Sequence, residues 1–194
     1  MPGMQEDAFA REFADALSCL QTFIADEEAQ AALRVLATKL CETFQAGGKV
    51  MSAGNGGSFT DALHFAEEWT GRFRNSRRPY PALALGDTSH MTCVGNDYGF
   101  DEIFSRMVES FAKPGDMLIL LSTSGNSENL VRAADAGRAG GCTVVGFLGR
   151  GGGRMLPLCD HVVMAPGRGS DRIQEIHMMA LHALIEETEI LLGH

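Results

Sequence analysis

Residues 117 to 127 read Met-Leu-Ile-Leu-Leu-Ser-Thr-Ser-Gly-Asn-Ser, an apolar run that passes directly into a turn carrying four hydroxyls, those of Ser122, Thr123, Ser124 and Ser127. A short continuous apolar run closed by turn residues is the pattern of a buried strand. Four similar runs flank it: Val50–Ala53 and Ala82–Leu85 before, Thr143–Leu148 and His161–Ala165 after. Each is bounded by Gly, Pro or Asp, and the stretches between are long enough for crossover helices. The alternation predicts an α/β fold with a doubly wound, parallel five-stranded sheet.

Before the first strand the pattern has a different period. Phe9, Phe13, Leu17, Leu20 and Ile24 recur at steps of three and four, as do Leu33, Leu36, Leu40 and Phe44, so residues 1–47 form two amphipathic helices that stop at Gly47-Gly48. They lie outside the alternation, and such an addition is expected to pack against another subunit of a homo-oligomer. Residues 48–194 form the α/β core, ending in a long helix from about Arg172 to Leu192. At 194 residues the chain suits one domain.

A formal net charge of -9 argues against long-range attraction to nucleic acid or an anionic membrane, so any phosphate must be held by local geometry. The five cysteines (Cys19, Cys41, Cys93, Cys142, Cys159) include no CxxC pair, which points away from a thiolate zinc site or a disulfide framework and toward a reducing cytoplasm. Met1 to Phe13 lack the apolar core of a signal peptide, and no run approaches the ~18–20 apolar residues of a membrane span.

In open parallel sheets, ligands gather beyond the carboxyl ends of strands. Two turns there are unusually rich: Ala53-Gly54-Asn55-Gly56-Gly57-Ser58 and Ser122-Thr123-Ser124-Gly125-Asn126-Ser127. Each also has a plain explanation, since Gly and Asn make turns and Ser or Thr cap helices. Four hydroxyls exceed what one cap needs, so anion binding is favoured for the second turn; the first stays open. Neither has the Walker or dinucleotide-binding spacing.

After the glycine turn, Phe59, Ala62, Leu63, Phe65, Ala66, Trp69 and Phe73 predict a largely buried helix, along which Asp61, His64, Glu68 and Arg72 form one polar stripe. His64 and Glu68, one turn apart, either share a metal or belong to a His–Glu–Arg ladder, and from this helix alone the ladder is favoured. Near the carboxyl end, Asp171 is expected as an N-cap with Gln174 reaching back to it as in a capping box. His177 and His182 alone are ordinary helix-face histidines.

Taken together, AGNGGS (53–58) with DALHFAEEWTGRF (61–73), GDTSHMTCVGNDYGFDEIFSR (86–106), STSGNSENL (122–130) and DRIQEIHMMALHAL (171–184) resemble the phosphoheptose isomerase family of the sugar-isomerase (SIS) superfamily. The likeness runs over nearly the whole chain. It implies a flavodoxin-like domain, a homotetramer with active sites between subunits, and one zinc ion per subunit held by His64, Glu68, Gln174 and His182. Implied substrate contacts are Asn55, Gly56, Gly57, Glu68, Asn96, Asp97, Ser122, Thr123, Ser124, Ser127 and Gln174, and His177 is left structural. Phe59, Thr60 and Leu63 depart from the family's usual residues.

The implied reaction converts sedoheptulose 7-phosphate to D-glycero-D-manno-heptose 7-phosphate, a precursor of lipopolysaccharide core heptose, with Glu68 and His182 moving the proton. Two rivals on this fold are a non-enzymatic regulator that binds the replication initiator protein, expected to lose part of the metal set, and an isomerase of another sugar phosphate. Helix geometry adds one condition. Gln174 and His182 are separated by a rise of ~12 Å and a rotation of ~80° on a regular helix, so either Gln174 lies in an irregular first turn or the two ligands come from different subunits.

Overall fold

The strand read first, β3 (Met117–Ser122), is buried at every position and occupies the centre of a five-stranded sheet. The computed structural model describes residues 7–194; the expectation for Met1–Glu6, that no signal peptide begins there, lies outside the described residues. Around β3 the sheet runs in the order β2 (Ala82–Ala84), β1 (Val50–Gly54), β3, β4 (Thr143–Leu148), β5 (His161–Met164), with every neighbouring pair parallel. This 2-1-3-4-5 order is the flavodoxin-like one, and its direction of winding reverses between β1 and β3. The sequence reading of the fold class holds.

Alternation along β3 explains why both faces must be covered. Met117, Ile119 and Leu121 belong to one apolar cluster, Leu118 and Leu120 to the other, and all five are fully buried. On the first face lie α2 (Glu27–Gln45), α3 (Gly57–Thr70) and α7 (Ser170–Leu191), which contribute Leu36, Phe65, Trp69 and Ile176. On the second lie α4 (Thr88–Asp97), α5 (Ser105–Phe111) and α6 (Glu128–Ala139), with Val94, Val108 and Leu130. Burying each such side chain contributes about 1.5–3 kcal/mol.

The first helix, α1 (Ala8–Ala25), behaves differently. It is anchored by Phe23, its one buried residue, and by the Arg172 guanidinium, which lies 3.2 Å from the carboxylates of both Glu12 and Asp15. Phe9, Phe13, Leu17 and Ile24 stay exposed, Phe9 to 73%. Among the described residues no helix is long and apolar enough to cross a membrane.

At the amino-terminal edge of the sheet, Asp116 is held by the amides of Lys49 and Lys113 and by the Lys49 ammonium, tying the starts of β1 and β3. Sequence reading and structure part company in three local places. α3 ends at Thr70, so Arg72 falls beyond it and is exposed, and the expected Glu–Arg rung cannot form along that helix. Leu63 is 47% exposed, so α3 is less buried than its apolar content suggested. α7 starts at Ser170 with Gly169 as its cap, which puts Asp171 inside the first turn instead of at the N-cap.

Candidate active site

Both rich turns lie at the carboxyl edge of the sheet, on the two strands between which the winding reverses. They face each other. Asn55 after β1 and Asn129 at the start of α6 exchange a reciprocal pair of amide hydrogen bonds of 3.0 and 2.9 Å. Beside that pair opens a cavity of about 340 Å3, lined by Asn55, Gly56, Gly57, Ser122, Thr123, Ser124, Ser127 and Gln174, together with Ser58, Leu121, Leu130 and Ser170.

The hydroxyls have different duties. Ser122 Oγ accepts the Gly125 amide at 3.0 Å and Ser124 Oγ the Asn126 amide at 3.2 Å, so both shape the turn. Ser127 precedes the first residue of α6, yet its side chain makes no capping bond, which leaves its hydroxyl free to serve a ligand. Gly125 adopts φ +64 and lies so close to the Gly149–Gly153 segment that a Cβ there would sit 1.9 Å from the Gly152 carbonyl oxygen. A side chain has no room, and the close approach brings that segment against the cradle.

Ser58 and Ser170 were given no part by the sequence reading. Ser58 Oγ accepts a bond from Gln174 Nε2 at 3.2 Å, which turns the Gln174 side chain toward the glycine turn and away from the capping role expected of it. Ser170 Oγ lies 3.2 Å from Thr123 Oγ1 and accepts from Arg150 Nη2 at 3.1 Å. Placing the start of α7 two residues late hid Ser170; the adjoining Gly169 was the available signal.

Along the same two helices lies a second group of side chains. His64, Glu68 and His182 each offer a ligand atom, all within 4.8 Å of one another. His64 Nε2 is 3.2 Å from Glu68 Oε1, the His64 and His182 rings meet edge to face at 5.0 Å, and Phe73 stacks on His182 at 5.5 Å. Burial holds His182 below its ordinary pKa, with the nearby His64 and Arg74 acting in the same direction and Glu68 against it. Two neutral-capable imidazoles and a carboxylate, gathered so closely, can bind a divalent transition metal. One turn before His64, burial pushes the Asp61 carboxyl up to about 6, against the opposing pull of His64, and its Oδ2 has no hydrogen-bond partner.

Gln174 belongs to the cavity, and His182 to the metal-type cluster. α7 is a regular helix through both positions, so the irregular first turn that would have brought them together is not observed. Asn96 and Asp97 end α4, are exposed, and lie outside the cavity, where Asn96 Nδ2 donates to Asp97 Oδ1 at 2.7 Å.

His177 points elsewhere, fully buried beneath β4, with Nε2 3.3 Å from the Leu148 carbonyl oxygen and its ring edge-on to Phe147. Burial pushes its pKa down to about 4, against the pull of that carbonyl bond. The unfolded chain therefore binds a proton that the folded one refuses as pH falls below about 6.5, and this share of stability is lost toward pH 4. Urea unfolding is expected to show roughly 2 kcal/mol less stability from this group at pH 5 than at pH 7, a difference removed in His177→Leu; an unchanged pH dependence in that variant would show the proton goes elsewhere.

Comparison with known proteins agrees with this geometry. The SIS domain family matches residues 12–149. The phosphoheptose isomerase of Fusobacterium nucleatum is 51% identical over 170 residues, 88% of each chain. Among solved structures, the phosphoheptose isomerase of Neisseria gonorrhoeae superposes with a TM-score of 0.86 at 34% identity, over 93% of this chain and 96% of that one. One from Francisella tularensis reaches 0.88 at 30% identity, over 94% and 96%. Likeness of this extent includes α7 as well as the two turns, and so the chain belongs to the phosphoheptose isomerase family.

Proposed function

We propose that this protein is the isomerase that converts sedoheptulose 7-phosphate to D-glycero-D-manno-heptose 7-phosphate for lipopolysaccharide core heptose, acting as a single-domain enzyme. One observation carries the reading: α3 and α7 run side by side from a hydroxyl-lined cavity, where Gln174 meets Ser58, to the Glu68 carboxylate gathered with the His64 and His182 imidazoles. A sugar phosphate needs both, an anion cradle at one end and proton-transfer groups at the other. The cradle takes the phosphate through Ser122, Thr123, Ser124 and Ser127 and the turn at Asn55, Gly56 and Gly57, and this remote binding energy fixes the reacting carbons.

Zinc fits the cluster by donor type, since two His and one Glu form a common three-residue set in catalytic zinc sites. His64, Glu68 and His182 would hold it, with the Gln174 amide as fourth ligand. Bound there, zinc would supply Lewis-acid polarisation of the sugar oxygens. Glu68 takes the proton from the reacting carbon and returns it to the neighbouring one, while His182 moves the hydroxyl proton on the opposite side. A carboxylate bound to a metal would be a weakened base, so either Glu68 would act as the base unbound from the ion, or zinc would mainly organise the site.

Assembly into a homotetramer supports these roles. Gln174 and His182 lie ~12 Å apart along one helix, which favours supply of the amide by a neighbouring copy. Exposed Asn96 and Asp97 suit contacts with sugar across such a boundary, and the open Phe9, Phe13, Leu17 and Ile24 stripe suits a buried helix contact. Five unpaired cysteines fit the cytoplasm.

Purified protein incubated with sedoheptulose 7-phosphate is expected to form the aldoheptose, to stop after chelation, and to recover with added zinc. No conversion in any of these conditions would end the isomerase reading and move weight to a non-enzymatic regulator. Ser127→Ala is expected to raise KM about 5–20-fold with little change in kcat or melting temperature, the loss of one hydrogen bond to a charged ligand. An unchanged KM would reduce Ser127 to a helix-start residue.

A further inference from the structure

A tie farther along the same helix pair points to a residue that does not line the cavity and meets the metal-type cluster only at the Glu68 main chain, not at a ligand atom. Arg77 lies in the segment between α3 and β2, and its side chain is 1% exposed. Nη2 donates to the Glu68 carbonyl at 2.7 Å, Nη1 to the Trp69 carbonyl at 2.9 Å, and Nε to Glu189 Oε1 at 2.5 Å. The guanidinium also sits over the rings of Trp69 and Tyr80, at 5.3 and 5.4 Å. The carbonyls of a helix's last turn have no partners within the helix; here one side chain takes two of them, and one of the two belongs to Glu68.

Its counter-charge stands on the other helix. Glu189 follows His182 by seven residues, two turns along α7 and on the same face, and its side chain is 8% exposed. The His64–Glu68–His182 cluster therefore lies between two ties that join α3 to α7: Gln174 to Ser58 before it, and Arg77 with Glu189 after it. The second tie adds a directional constraint to the apolar contacts between the two helices on the far side of His182.

We infer that Arg77 is a positioning residue which, through Glu189, sets the distance between Glu68 and His182 and so the metal affinity and turnover of the site. The inference rests on the isomerase reading with zinc at that cluster. A planar fork suits the task where an ammonium does not, because acceptors on two helices must be met at fixed angles.

Two mild substitutions test it. Arg77→Lys keeps the charge but cannot span the three acceptors; Glu189→Gln keeps the acceptor oxygen and shape but removes the counter-charge. In both, the zinc dissociation constant, read by competition with a chromophoric chelator, is expected to rise about 10–100-fold. The constant kcat should fall about tenfold at saturating zinc, with KM changed less than about twofold because the phosphate cradle lies at the other end of the helices. Lys49→Met serves as a control: it breaks the half-buried Lys49–Asp116 pair at the opposite edge of the sheet, and is expected to lower the melting temperature with zinc affinity unchanged. Folded Arg77→Lys and Glu189→Gln proteins with wild-type zinc affinity and kcat, whatever their melting temperatures, would overturn the inference and leave Arg77 a fold staple. Should Arg77→Lys fail to fold, Glu189→Gln alone decides. Wild-type protein that neither binds zinc nor isomerises would instead remove the parent reading, an outcome visible before any variant is made.

Discussion

Glu68→Gln is expected to lower kcat by about 10²–10⁴-fold, the range for loss of a general base, and to abolish exchange of the substrate's carbon-bound proton with D₂O. The amide keeps the size of the carboxylate, and Glu68 is only 13% exposed beside His64, so the fold should survive. Exchange is the more telling measurement. A variant that bound zinc poorly but still washed deuterium into the sugar would show that Glu68 serves the metal alone and that another group is the base. Loss of both would be ambiguous without a zinc titration, so turnover should be measured at saturating metal.

Gly125→Ala is expected to be nearly as damaging, for a different reason. The new methyl would meet a main-chain oxygen at 1.9 Å from a backbone held at φ +64, so either the cradle or the Gly149–Gly153 segment must move. Left-handed backbone at a non-glycine residue costs about 1–2 kcal/mol, and the collision adds to it. The expected result is a loss of more than about 2 kcal/mol in stability together with a KM increase far above that of Ser127→Ala. A variant with unchanged melting temperature and KM would mean that the segment yields freely and that the tight approach has no role in phosphate binding.

Most of the architecture was legible because strands in a doubly wound sheet are apolar at nearly every position, and five such runs separated by helix-length stretches leave few alternatives. The hydroxyl turn was legible for a related reason: Ser122, Thr123, Ser124 and Ser127 exceed the needs of one cap, and all four line the cavity. What escaped were features fixed by long-range packing. Arg72 looked like the next rung of a polar stripe, but the chain leaves the helix at Gly71. The arginine that does close that helix end, Arg77, comes from the following segment and meets a carboxylate 112 positions away, a pairing no local spacing reveals. The residues around Gln174 suggested a local capping role beside Asp171, whereas its hydrogen-bond partner, Ser58, lies on a helix 116 residues earlier.

The mutual amide bonds between Asn55 and Asn129 bear on how tightly a small anionic ligand can be held. Each side chain satisfies the other before anything arrives, so the two turns are already locked in register as a rigid receptor. Little ordering entropy is then charged to association. Replacing either asparagine by a residue of the same size that cannot reciprocate would loosen the mouth, and its mark would be a slower capture and a faster escape of phosphate esters, with the proton-transfer step itself untouched.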